Sequence, residues 1–90
     1  MDPRPENSLH AARAHLASRG DRAALPWLDR ALERDPGFFP ARSLHAAARE
    51  RTGDLEGALQ DYAELATGDY HLLFALRGVG RVEAALRAAR

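Results

Sequence analysis

Ala24, Leu25, Leu28, Ala31 and Leu32 fall in register with Ala58, Leu59, Tyr62, Leu65 and Ala66 at an offset of 34 residues. Within each copy the apolar positions recur at the spacing of one helix face, not at the alternation of a strand. A period of this length leaves room for two helices and their turns. Each such unit exposes an apolar stripe that only its neighbour can cover. The chain therefore reads as all-α, with its core built between stacked units.

Glycines punctuate the pattern. Gly53-Asp54-Leu55-Glu56-Gly57-Ala58-Leu59 reappears 27 residues later as Gly80-Arg81-Val82-Glu83-Ala84-Ala85-Leu86, and Gly20-Asp21-Arg22-Ala23-Ala24-Leu25 is a shorter cousin. In each, a glycine stands where a helix is to stop, because glycine enters the left-handed region without steric cost. An alanine one turn on leaves room for a close helix crossing. Asp35 before Pro36 is driven out of the α region and ends the first copy. Six helices are predicted, over about 8–18, 22–34, 40–53, 54–66, 69–78 and 81–90, with turns at Gly20, Gly53 and Gly78. Pro40 suits a first helical position, and Asp54 and Asp69 suit caps. Pro26 requires the second helix either to begin near Leu25 or to kink. The expected core is Ala24, Leu25, Leu28, Leu32, Leu55, Ala58, Leu59, Tyr62 and Leu65.

These residues, above all Gly53, Asp54, Ala58, Leu59, Tyr62 and Leu65 with Ala24, Leu25, Leu28, Ala31, Leu32 and Pro36, resemble the tetratricopeptide repeat family over residues 8–90. The resemblance implies a right-handed α-α superhelix of about three antiparallel helix pairs, in units of about 8–36, 37–66 and 67–90, after a flexible arm at 1–7. Two departures stand out. The first helix of the middle unit carries the polar Arg42, His45 and Arg49 where the family favours large apolar residues, and the third unit is seven residues short. The resemblance also implies a contact between His45 and Asp61 of the Asp61-Tyr62 pair. Its implied function is to bind a peptide or partner protein on a concave face lined by the first helix of each pair. Carried over by position, that face holds His10, Ala14, Ser43, Ala47, Glu50, Tyr70 and Phe74, with Arg51 alongside. Tyr70 and Phe74 would be apolar anchors, and Glu50 and Arg51 would set charge preference. The lysine, asparagine and arginine that hold acidic chaperone tails in some family members do not occur at those positions.

Other functions find little support. Thirteen basic and thirteen acidic residues balance, so there is no bulk pull toward nucleic acid or an anionic membrane. Four arginines face one glutamate from residue 77 onward, an excess of three, which leaves nine basic and twelve acidic residues in 1–76. Without interleaved exposed aromatics this polarity is a weak nucleic-acid signal. Cysteine is absent, and His10 and His15 are five apart, so two ligands do not share a helix face; no metal or cofactor is expected. Ser43 and His45, two apart on a helix, point away from each other, and no catalytic group is identified. No run approaches a membrane span, and the start lacks a signal peptide's apolar stretch. A cytoplasmic protein is expected, and the arginine-only, alanine-rich composition suggests a GC-rich bacterial genome.

The final helix offers an alternative. At 100° per residue, Val82, Ala84, Ala85, Leu86, Ala88 and Ala89 form a broad arc opposite Glu83, Arg87 and Arg90. Either the arc packs inside the domain or part of it meets a second copy or another protein. If it meets a second copy, the protein would be an assembly unit with no separate ligand.

Overall fold

The computed structural model describes residues 4–67 and 73–89. Regular structure there is entirely helical: α1 Pro5–Ser18, α2 Asp21–Arg34, α3 Phe39–Thr52, α4 Leu55–Thr67 and α5 Leu73–Ala88. Helix α1 begins ahead of the expected Ser8 because Pro5 sits in its first turn, where a fixed φ helps and a missing N–H is no loss. Residues 5–7, expected in the arm, belong to α1. Helix α2 runs unbroken through Pro26. That ring is exposed, as is Arg22 one turn earlier, so the carbonyl left without a donor faces water.

The turns at Gly20 and Gly53 occur as expected, with φ of 93° and 92°. At the second, the Gly53 amide donates to the Glu50 carbonyl and the Asp54 amide to that of Arg49, at 3.2 and 2.8 Å. Asp54 then caps α4, its Oδ1 accepting from the Gly57 amide at 3.0 Å. The expected stop at Gly78 does not occur. Helix α5 passes through both Gly78 and Gly80, so among the described residues one helix stands where a fifth and a sixth were predicted, and no third helix pair is formed there. Gly78 is buried against Tyr62; a Cβ there would lie 2.5 Å from the tyrosine ring. Its missing side chain serves a close approach, not a turn. The expected cap at Asp69 lies outside the described residues.

Each helix packs on its neighbours in sequence: α1 on α2, α2 on α3, α3 on α4, α4 on α5. Two apolar clusters result. Leu9, Ala12, Ala24, Leu28, Ala31, Ala41 and Ala48 form the first, and Ala46, Ala58, Tyr62, Leu65, Ala75 and Val82 the second. Helix α3 is the wall between them. Of the expected core, Ala24, Leu28, Ala58, Tyr62 and Leu65 are buried, whereas Leu25, Leu32, Leu55 and Leu59 are half-buried at its margins. On the first cluster's flank, Trp27 stacks on His15 with centroids 5.5 Å apart, and the Arg30 guanidinium lies 4.8 Å from the tryptophan ring.

The two glycines of α5 should respond oppositely to alanine. Gly78→Ala must displace the Tyr62 ring and should destabilise by about 1–3 kcal/mol. Gly80→Ala meets nothing within 4 Å and should stabilise by about 1 kcal/mol through helix propensity. Urea denaturation of both variants checks the pair, and equal effects would contradict the Tyr62 contact.

Candidate protein-binding face

Helix α3 contributes alanines to both clusters and no large apolar side chain that is fully buried. Its orientation is held instead by charge. His45, 3% exposed, lies between two carboxylates sixteen residues before and after it: Nε2 is 2.7 Å from Asp29 Oδ1 on α2, and Nδ1 is 2.6 Å from Asp61 Oδ2 on α4. The His45–Asp61 contact implied by the resemblance is present, and Asp29 is an addition to it. Asp61, 1% exposed, also receives Arg42 Nη1 at 3.0 Å, with Arg49 Nη1 at 3.7 Å. Arg42 extends further to the Pro36 carbonyl at 2.9 Å, fixing the α2–α3 connection. The polar residues that look misplaced in an apolar helix therefore surround one buried carboxylate, with α2, α3 and α4 all contributing.

Helix α5 is tied to α3 by a second cluster. Arg81 Nη2 donates to Glu50 Oε1 at 2.8 Å, Arg81 Nε bonds the other oxygen, and Tyr62 Oη donates to Glu50 Oε1 at 2.9 Å. The Arg81 guanidinium, aided by the tyrosine hydroxyl, holds the Glu50 carboxyl below the usual carboxylate range. Burial pushes the Tyr62 phenol up, and its bond to Glu50 adds to that. On the other side of α3, Arg51 makes a two-pronged pair with Asp21, with Nη2 2.7 Å and Nε 3.0 Å from Oδ1. The Asp21 carboxyl is lowered in turn, chiefly by that arginine's hydrogen bonds.

The residues expected on the binding face are distributed as follows. His10 and Ala14 are exposed on α1, and Ser43 and Ala47 are half-buried on α3; the Ser43 hydroxyl donates to its own helix, to the Phe39 carbonyl at 2.8 Å. Glu50 and Arg51 are engaged as above. Phe74 on α5 is 43% exposed, and Tyr70 lies outside the described residues. Phe74 and Arg81 are seven residues apart, two turns on the same side of α5, so Phe74 stands on the side from which Arg81 reaches α3. Four participants escaped the reading of the sequence: Arg81, Asp29, and the outward Leu73 and Leu76, which are 60% and 55% exposed. Treating α5 as unbroken across Gly78 would have placed the two leucines opposite Val82. The arc assigned to the last helix is divided: Val82 is buried and Leu86 half-buried against α4, while Ala84 and Ala88 are exposed.

Compared with the profiles of known families, with characterised proteins and with solved structures, the chain has no significant match.

Removing Asp61 leaves the buried His45 and the half-buried Arg42 without their shared carboxylate, and Asp61→Ala should cost about 3–5 kcal/mol in urea denaturation. The Glu50 bridge predicts an acid dependence. A carboxyl whose pKa is lowered on folding contributes stability that is present above its unfolded value and is lost as pH falls through the folded one. Glu50→Gln should thus melt below the parent at neutral pH, and the gap should close below about pH 4.3. A gap independent of pH would mean that the Arg81 bridge adds nothing.

Proposed function

We propose that this chain is a small helical repeat module of the tetratricopeptide type whose activity is to bind another polypeptide on the face shared by α1, α3 and α5. The observation that carries the reading is Phe74, a large aromatic 43% exposed on the side of α5 that Arg81 bridges to α3. An exposed aromatic beside a rigid charged bridge fits a binding anchor, since aromatic side chains bury much area with few rotamers lost. The 34-residue register, the sequential packing of the helices and the His45–Asp61 contact support the repeat assignment.

In this reading the half-buried Ala47 and exposed Ala14 leave space for a ligand backbone, and Phe74 and Tyr70 hold apolar side chains of the ligand. Glu50 and Arg51 shape the face more than they offer free charge. A cationic ligand group has to compete with Arg81 for Glu50, and an anionic one with Asp21 for Arg51. The module is a binding protein, not an enzyme.

Selection of peptides from a displayed random library on the immobilised chain tests the proposal. Phe74→Ala should weaken a selected peptide by at least about tenfold, or roughly 1.4 kcal/mol, with circular dichroism unchanged. Selected peptides that bind the folded variant as tightly as the parent would remove the α1–α3–α5 face from consideration.

A further inference from the structure

A second face of α5 is unaccounted for by peptide binding. Its inward side, Ala75, Gly78 and Val82, is buried, and the Phe74–Arg81 side turns toward α3. The remaining strip consists of Leu73, Leu76, Arg77, Gly80, Glu83, Ala84 and Arg87, all exposed. Gly80 at its centre has neither a positive φ nor a crowded neighbour, although glycine weakens a helix interior. The domain itself therefore does not require it. Among the described residues, neither Arg77 nor Glu83 has an ion-pair partner, and Glu83 is the one acidic residue of α5.

The residues on this strip are placed symmetrically about Gly80 in complementary types. Three positions before and after it stand Arg77 and Glu83, four before and after stand Leu76 and Ala84, and seven before and after stand Leu73 and Arg87. Offsets of three, four and seven share one helix face. A two-fold axis through Gly80 sets position 80 − n of one helix against 80 + n of an antiparallel copy. Arg77 then meets Glu83 twice, Leu76 covers Ala84, and Leu73 lies along the aliphatic stem of Arg87. We propose that the occupant of this face is a second copy of the chain, docked antiparallel along α5 with the two Gly80 backbones at the crossing. Such an interface is isologous, each half being satisfied by the same residues of the other. The contact runs about 22 Å along the helix, which places it in the small, concentration-dependent class. It leaves the Phe74 side free, so it does not rest on the peptide-binding proposal.

Sedimentation equilibrium on the full chain tests it. A monomer–dimer equilibrium is expected, and Gly80→Leu, which fits the isolated helix but separates the backbones, should weaken it at least about tenfold. Arg77→Glu and Glu83→Arg should each weaken it similarly, since each juxtaposes like charges, and the double variant Arg77→Glu/Glu83→Arg should recover the parent affinity. Circular dichroism verifies that each variant is folded; should Gly80→Leu lose its helicity, the charge exchange decides alone. A chain monomeric at millimolar concentration, a dimer indifferent to these changes, or a double variant as weak as the single ones would overturn the proposal. Peptide binding by the monomeric variants should equal that of the parent.

Discussion

Asp61 is a carboxylate almost fully removed from water, and the placement of the three central helices follows from how its charge is met. Taking such a group inside costs several kcal/mol unless charge and hydrogen bonds are returned to it. Here they come from Arg42, His45 and Arg49, spaced three and four residues apart on one face of α3, so α3 is fixed in rotation and height by a single acceptor on α4. His45 carries the constraint onward to Asp29 of α2. Alanine contacts alone would leave that rotation weakly specified, because small side chains interdigitate little. The polar cluster supplies the specificity that the apolar residues of α3 lack.

With α3 fixed, α5 acquires three distinct sides. One is closed against α4 by Gly78 and Val82. Another is clamped to α3 through Arg81, Glu50 and Tyr62, with the guanidinium 5.8 Å from the phenol ring, a distance at which a cation is attracted to an aromatic face. The third faces outward with two leucines. A molecule whose Cα extents are 43 × 30 × 17 Å has room for little more than two helices across its thin direction. Each helix therefore presents a side to the surroundings, and the last helix presents the most apolar one.

The helical class, the turns at Gly20 and Gly53, the Asp54 cap and the centres of both clusters were legible because each depends on local chemistry or on a short repeat. Gly78 was misread for a definite reason. Glycine has two uses, a positive φ and the absence of a Cβ, and only the partner across the interface tells them apart. Tyr62 is that partner, sixteen residues away and on another helix. The same ambiguity hid the outward leucines, since splitting α5 into two helices scrambled its faces. The charged residues of α3 were legible as a departure from an apolar helix, and the His45–Asp61 pair as a resemblance. Asp29 was not, because nothing in a linear pattern marks a half-exposed aspartate as the second partner of a buried histidine. For the binding face, positions on α1 and α3 could be read from the repeat, but the engagement of Glu50 by Arg81 needed the tertiary arrangement.

The sequential packing of the helices bears on how the chain reaches this arrangement. Contacts that join consecutive helices through short turns close small loops, and the entropy lost before the first stabilising contact forms is correspondingly small. Chains with such local connectivity fold fast for their stability. The buried charge cluster sits awkwardly in that scheme, since α2, α3 and α4 must all arrive before Asp61 and His45 are both satisfied. Hairpins of neighbouring helices can therefore form and dissolve early, while commitment to the native state waits for the middle helix to be gripped from both sides.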